Sequence, residues 1–446
     1  MKEPSKKNKR RWWLASVLIG LLVLVLAVLG YGYWHQHHPS TSQQPATVKD
    51  QPVALSTDAK TGLVVDLSTG QVLGEKNADQ SLPIASLSKL LTAYAVLRNI
   101  EQGKLKWDEQ VTIPASADLS KQRQDLFSHL DIQAGDRVAV KDLYTAMFTN
   151  SANDAAFALA DHITPKGQTT QQMLQYWAKT LKLQHSEWYN AAGQQNGDAM
   201  QNKVKSASDK AANRASARDI AVIARADLNL DPSLKGIGQM KTLTYTKNGN
   251  DKITVPTDFG QSGSDNQQQL DNPHHFVIEG LKTGSTPESG AAFAGLITDP
   301  DGHQFLTVIN GAGDYEDRIQ RYQKTFDMLD EVLNQKDSHQ FTKGQVLDGV
   351  STVQSNDTKD AKISVHVAMN RNFWTPKGAD LNWETPASFH TTKPVQVNQL
   401  VTWVKPALDA QYLPATPVHH TELGLASDDH QALADWGTRI LRWFGW

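Results

Sequence analysis

Cysteine is absent from all 446 residues. That excludes disulfides, a cysteine nucleophile and thiolate metal sites, and it suits an exported protein that avoids thiol chemistry. A charge excess of either sign is missing too. Lys and Arg total 44 against 47 Asp and Glu, a net of -3, so the chain has no electrostatic footprint for nucleic acid, and no nucleic-acid partner is expected. No His-Glu-x-x-His or similar ligand spacing occurs. The pairs His37-His38, His274-His275 and His419-His420 read as surface or loop residues, and neither a metal nor an organic cofactor is expected. What is present, 39% hydrophobic and 20% charged residues, fits a folded globular protein. The length suits two domains with appendages.

Both ends carry membrane signals. A basic run (Lys6, Lys7, Lys9, Arg10, Arg11) precedes an uncharged stretch from Trp12 to Trp34. Roughly 20 apolar residues suffice to cross a bilayer, and the basic flank places everything after Trp34 outside the cytoplasm. Trp12-Trp13 and Tyr31 to Trp34 sit where interfacial aromatics belong. A cleavable signal peptide is the alternative, although Gly30-Tyr31-Gly32 is a poor cleavage site; export follows under either reading. Residues 35–53, rich in Pro, Ser, Gln and Thr, read as a flexible tether. Residues 428–446 read as an amphipathic helix, with Leu433, Trp436, Ile440, Trp443 and Phe444 on one face and Asp435, Arg439 and Arg442 on another. Aromatics opposite arginines describe a helix in the headgroup plane; packing on the preceding domain is the alternative. Membrane lipid at both termini is the expected partner, and the expected location is the cell membrane with the main domain on its extracytoplasmic side.

Between these ends, Gly62–Asp66 and Gln71–Gly74 read as a β-hairpin, and Leu87, Leu90, Leu91, Tyr94 and Leu97 mark a helix. A mostly helical region follows to about residue 230. Strands return at 276–283, 291–298 and 305–310, the last two joined at Asp299-Pro300-Asp301-Gly302. Ile319, Tyr322, Phe326, Leu329 and Leu333 then share a helix face. Strands from both ends of this unit around a helical middle predict one α/β domain over 54–338. Short alternating runs around Ile363, Val365 and Val367, then Val395, Val397, Val401 and Trp403, predict a small β-rich domain over 341–425.

Chemistry concentrates at three places. Ser86-Leu87-Ser88-Lys89 sets a hydroxyl and an amine one helical turn apart on the same face, and a lysine with a lowered pKa can take a serine's proton. Alone, this spacing reads equally as a helix N-cap. Ser151-Ala152-Asn153 opens a second helix, and Lys282-Thr283-Gly284 lies on the strand beginning at 276. The three elements follow the order of penicillin-recognising serine enzymes. Lys60-Thr61-Gly62 and Ser264-Asp265-Asn266 repeat two of these patterns, but sit at a strand entry and in a polar loop and are read as turns.

The segments Pro83 to Lys89, Asn150 to Ala156 and Gly280 to Thr286 resemble those of low-molecular-mass penicillin-binding proteins, the serine D-alanyl-D-alanine carboxypeptidases. Tyr189 to Gly193 and Ser216 to Asp219 resemble stretches between the family's second and third motifs, and the likeness covers roughly residues 54 to 335. The resemblance implies an α/β (α+β) penicillin-binding/β-lactamase-like transpeptidase fold, followed by a small all-β domain and a terminal amphipathic helix. It implies Ser86 as nucleophile, Lys89 as its base and Ser151 as proton relay. Asn153, Lys282, Thr283, Gly284 and Ser285 would bind substrate, with backbone N–H groups of Ser86 and Ser285 forming an oxyanion hole. The implied substrate is a peptidoglycan stem peptide ending in D-Ala-D-Ala, and β-lactams would acylate the same serine. A transpeptidase or endopeptidase would share every motif. A β-lactamase would need a further carboxylate, for which Glu187 is the candidate, and a β-lactam sensor or wall protein would acylate without turnover.

Overall fold

The computed structural model describes residues 45–123, 127–258, 269–317 and 319–443. The apolar stretch Trp12–Trp34 and the Ser264-Asp265-Asn266 triplet lie outside the described residues, as do Phe444 and Trp446. Among the described residues no helix is long and apolar enough to cross a membrane.

Short strands β1 (Val48–Asp50) and β2 (Val53–Ala54) lead into the hairpin β3 (Thr61–Asp66) and β4 (Val72–Lys76). After β5 (Leu82–Pro83), a 3-10 turn over Ala85–Ser88 runs directly into helix α1 (Lys89–Glu101). Strands β6 (Gln110–Thr112) and β7 (Arg137–Ala139) precede α2 (Val140–Thr149), α3 (Asn153–Ile163) and α4 (Thr170–Thr180). Then come β8 (Arg214–Ala215), α5 (Ala217–Leu230) and the hairpin β9 (Thr242–Lys247) and β10 (Asp251–Pro256). Strands β11 (Val277–Thr286), β12 (Gly290–Thr298) and β13 (Gln304–Asn310), with helix α6 (Gln320–Leu333), close the first domain.

Its main sheet has the order β11-β12-β13-β3-β4-β2, so strands from both ends of the domain meet where β13 pairs with β3. The two-residue period of a strand divides its side chains between two cores. Leu63, Val65, Leu306 and Val308 face the helical cluster containing α1 and α5, while Val64, Phe305 and Ile309 face Tyr322, Phe326 and Leu329 of α6. The sheet is therefore covered on both faces and β11 is left at its edge.

The second domain contains β14 (Lys336–Phe341), β15 (Thr352–Gln354), β16 (Lys362–Val367), β17 (Arg371–Pro376), β18 (Leu400–Val404), β19 (Leu408–Ala410) and β20 (Leu423–Ser427). Val353, Ile363, Val365, Phe373 and Leu425 are among the residues of its own core. The expected boundary at residue 338 falls inside β14, which pairs along its length with β17. Trp374 of β17 reaches into the first domain, 5.5 Å between ring centroids from Phe305, with its indole N–H on Asp66 at 3.1 Å.

Two expectations about the ends need correction. The tether over 35–53 is structured where it is described: β1 pairs in parallel with β19, and buried Asp50 bonds to Lys336 and Gln71. Strand pairing uses backbone groups that any composition supplies, and the buried ion pair fixes it. Among the described residues the terminal helix α7 covers Trp436–Trp443. It starts late because Asp435 accepts from the Thr438 N–H at 3.0 Å, as an N-cap does, while Leu433 bridges to Thr358 outside the helix. Arg439 grips Asp357 at 2.8 Å and Arg442 donates to the Thr358 carbonyl at 2.6 Å, so the arginine side faces the β domain. Trp436 and Trp443 remain 79% and 75% exposed. Packing on the domain and an exposed aromatic face thus coexist.

Candidate active site

The turn carrying Ser86, the expected nucleophile, is held in an uncommon conformation. Ala85 has φ +45° and Ser151, across the site, has φ +53°. Non-glycine residues in this region are scarce, and such strain collects at functional positions. The Ser88 hydroxyl closes the turn by donating to the Ala85 carbonyl at 2.6 Å. Because α1 begins at Lys89, Ser86 and Lys89 share a face, and their Oγ and Nζ lie 3.0 Å apart. Ser86 is half-buried, whereas Lys89 is 1% exposed.

Two further oxygens surround the Lys89 amine. Asn153, the first residue of α3, offers Oδ1 at 2.7 Å, and the Ala192 carbonyl lies at 2.8 Å. Both can only accept, whereas the Ser86 hydroxyl can donate or accept. A neutral amine therefore donates to Asn153 and Ala192 and presents its lone pair to Ser86; an ammonium donates to all three. A proton can cross from Ser86 to Lys89 with no partner changed. Burial is the main cause holding the Lys89 pKa well below its ordinary value; the charge of Lys282 adds to the shift and Asp154 opposes it.

Ala192 sits on the loop from Tyr189 to Gly193, which the sequence marked by resemblance but without a role for its backbone. Asn190 Oδ1 accepts from the N–H groups of Ala192 and Gly193 at 3.2 and 2.8 Å. Asn213 accepts from the Tyr189 N–H and donates to the Asn190 carbonyl, both at 2.7 Å, while its own carbonyl takes the Ile84 N–H at 3.1 Å. The Ser86 turn and the Ala192 loop are thereby locked together. Gly193 has φ +85°, and a Cβ there would lie 1.9 Å from the Ala85 carbonyl oxygen, so only glycine fits.

The third motif lies on edge strand β11. A Cβ on Gly284 would come within 2.8 Å of the Ile84 carbonyl oxygen, which shows how closely this strand approaches the Ser86 turn. Lys282 is buried, with Nζ on the Thr283 carbonyl at 2.9 Å. Burial brings it down to about 7, with Asp258 acting upward and Arg321 downward. The sequence reading missed Arg321, from the first turn of α6. It donates to the Gly284 and Ala292 carbonyls at 3.2 and 3.1 Å and to Ser285 Oγ at 2.9 Å. Only its spacing on the α6 face could have flagged it, and there it reads as an interruption.

The structure bonds Ser86, Lys89 and Asn153 directly to one another through Lys89. Ser151 is placed by its backbone, between the Asn150 and Ala152 N–H groups that both donate to Ala146; its hydroxyl makes no hydrogen bond among the described residues. The decoy Gly62 is packed against Met328, 2.7 Å from where its Cβ would stand. Glu187 bonds to the Tyr189 hydroxyl and lines a groove with Lys182 and Trp188. Among the described residues, Asp299, Asp301 and His303 group as potential metal ligands. They occupy the β12–β13 turn, at the far end of β12 from the third motif, and His303 Nδ1 is already bonded to Asp299 at 2.7 Å.

Comparisons with known proteins identify the family and the fold. The D-alanyl-D-alanine carboxypeptidase family profile matches residues 45–313. The carboxypeptidase DacD of Salmonella typhimurium is 31% identical over 288 residues, covering 64% of this chain and 66% of that protein, so the match spans just under two thirds of that relative's length. DacF of Bacillus subtilis is 23% identical over 437 residues, covering 95% of this chain and 98% of that one. A crystal structure of a peptidoglycan synthesis regulatory factor (PBP3) from Streptococcus pneumoniae superposes with TM-score 0.68 at 20% identity, over 84% of this chain and 100% of that chain, and so shares the fold expected from the motifs. With more than half of its residues matched by the family profile, this chain belongs to the D-alanyl-D-alanine carboxypeptidase family.

Proposed function

We propose that the chain is a serine D-alanyl-D-alanine carboxypeptidase, trimming the last D-alanine from peptidoglycan stem peptides. The observation that carries this reading is the amine of Lys89, buried at 3.0 Å from a reachable Ser86 hydroxyl and held by two acceptor-only oxygens. Such an amine is a base waiting for a hydroxyl proton. Ser86 attacks the carbonyl between the two D-alanines as Lys89 takes its proton. The N–H groups of Ser86 and Ser285 receive the developing oxyanion, worth about 3–4 kcal/mol in comparable sites. Ser151 relays the proton to the departing D-alanine, and water then releases the acyl group. Lys282, Thr283 and Gly284 with Ser285, backed by the guanidinium of Arg321, form a cationic ledge for the terminal carboxylate. A β-lactam carries both a strained amide and a carboxylate, so it acylates Ser86 by the same steps.

The test is D-alanine release from a peptide ending in D-Ala-D-Ala, with the full chain compared against Ser86→Ala. Release by the parent alone supports the reading. Acylation of the parent by a fluorescent penicillin without D-alanine release shifts it toward a transpeptidase or a non-turnover binder, and neither activity overturns it.

The chain is also proposed to work at the outer face of the cell membrane, supported by the basic-then-apolar N-terminus and the exposed Trp436, Leu441 and Trp443 of α7. Trp436→Ala with Trp443→Ala should weaken binding of residues 45–446 to anionic vesicles about tenfold or more; unchanged binding removes α7 from the lipid surface.

A further inference from the structure

Thr92 is fully buried on α1, one turn beyond Lys89. A helical threonine can turn its hydroxyl back to the carbonyl four residues earlier in its own helix. Thr145, Thr149, Thr180 and Thr325, on three other helices, all do so. Thr92 does not. Its Oγ1 donates instead to the Ala191 carbonyl at 2.9 Å, across 99 residues of chain. Ala191 immediately precedes the residue whose carbonyl accepts from Lys89 at 2.8 Å.

Residues i and i+3 are neighbours on a helix surface, so two consecutive carbonyls of the loop meet two neighbouring side chains of α1. The loop's other side-chain bonds run elsewhere. Asn190 Oδ1 gathers the Ala192 and Gly193 N–H groups within the loop itself, and Asn213 holds Tyr189 and Asn190 from the entry to β8. Among the described residues, Thr92 is the one α1 side chain besides Lys89 that bonds to residues 189–194. The asparagines shape the loop; Thr92 sets where it lies along the helix that carries the amine.

Resting on the carboxypeptidase reading, we propose that Thr92 is a positioning residue: its hydroxyl holds the Ala192 carbonyl against Lys89 and so keeps the lone pair of the amine on Ser86. A neutral amine has two N–H groups and one lone pair. With the Asn153 and Ala192 oxygens in place, both N–H groups are engaged and the lone pair is left for the Ser86 proton. If the Ala192 oxygen drifts out of reach, one N–H is released to turn toward Ser86 Oγ, and the lone pair turns away from the hydroxyl. The defect falls on proton transfer, while Lys282, Thr283 and Ser285 on β11 still hold the substrate carboxylate.

The experiment compares D-alanine release by the full chain with that of Thr92→Val, Thr92→Ser and Thr92→Ala, at a temperature where melting curves show each variant folded. Valine keeps the β-branched shape and removes the hydroxyl; serine and alanine differ from each other by the hydroxyl alone. For Thr92→Val, kcat should fall about tenfold or more with KM within about twofold, as for an interaction that acts in the transition state. Thr92→Ser should recover to within about threefold of the parent, and Thr92→Ala should stay as slow as Thr92→Val. If Thr92→Val does not fold, the serine and alanine pair decides. Turnover by Thr92→Val within twofold of the parent, a rise in KM alone, or serine as slow as alanine makes Thr92 a packing residue and overturns the proposal, as does failure of both hydroxyl-free variants to fold. A parent acylated by a fluorescent penicillin without D-alanine release moves the same comparison to the acylation rate. A parent that does neither counts against the carboxypeptidase reading instead. A crystal structure of Thr92→Val then tests the positioning, and an Ala192 oxygen still within hydrogen-bond distance of Lys89 Nζ overturns it.

Discussion

Alanine at position 284 would place a Cβ 2.8 Å from the Ile84 carbonyl oxygen, 3.3 Å from Leu87 Cγ and 3.4 Å from the Leu87 nitrogen. Two of these three atoms are backbone of the nucleophile turn, which Asn213 and Gly193 pin from behind. The turn cannot retreat, so edge strand β11 must. Restoring ordinary contact requires the gap to open by about 0.6 Å, since van der Waals contact here begins near 3.4 Å. Gly284 has no left-handed φ among the backbone angles, so the substitution adds no conformational strain. The effect is purely one of spacing.

That spacing matters because Ser285, the next residue, carries one of the two proposed oxyanion donors. Removing such a donor costs about 10²–10³ in rate, and a 1 Å misplacement about 10². A 0.6 Å opening should therefore lower the acylation rate constant by about 10- to 100-fold while the fold survives. Rapid-mixing measurement of penicillin acylation, with circular-dichroism melting as control, reads both quantities. Gly284→Ala acylating within twofold of the parent, at an unchanged melting temperature, would refute the reasoning that β11 and the nucleophile turn share a fixed separation.

Lys282 makes a pH prediction. Its folded pKa, lowered to about 7 chiefly by burial, lies below the unfolded value of about 10.4. Between these the unfolded chain binds more protons, so this group makes stability rise with pH, by at most about 1.4 kcal/mol per pH unit. Urea unfolding should show the parent gaining on Lys282→Gln from pH 7 to 9, and a constant difference would refute the sign. Asn213→Ala removes three side-chain hydrogen bonds that fix the Ala192 loop; stability should fall by about 2–3 kcal/mol and acylation by about tenfold or more. An acylation rate unchanged at normal folded population would mean that the Ala192 carbonyl is not needed at Lys89. Gly193→Ala should leave little folded protein in expression trials, because its Cβ would overlap the Ala85 carbonyl.

Much of the main sheet was legible in the chain itself. Short continuous apolar runs marked β3 and β13, because successive residues such as Leu63, Val64 and Val65 each have a core to face, and the Asp-Pro-Asp-Gly turn placed the β12–β13 connection. The second sheet, β10-β9-β7-β6, was not legible. Its strands β6 and β7 are three residues each, too short for a period to emerge, and β10 is too polar to read as a strand. The start of α7 was misplaced because apolar residues before Trp436, such as Leu433, fit the helical wheel while making a strand-like bridge.

For the site, the sequence supplied the side chains and missed the frame. Ser86, Lys89 and Asn153 are read directly from two short motifs, since each contributes a side-chain atom to one amine. The third partner of that amine is a backbone carbonyl, and a carbonyl has no letter: Ala192 carries the same group as every other residue. Its position is specified instead by Asn190 and Asn213, whose amides bond only to nearby backbone. In a sequence such asparagines read as loop residues. Arg321 is concealed for the opposite reason: a cation on an apolar helix face looks like an error in the pattern until β11 and β12 beneath it each prove to offer it a carbonyl. Side chains that act on substrate leave motifs, whereas side chains that act on backbone become visible only once the chain is folded.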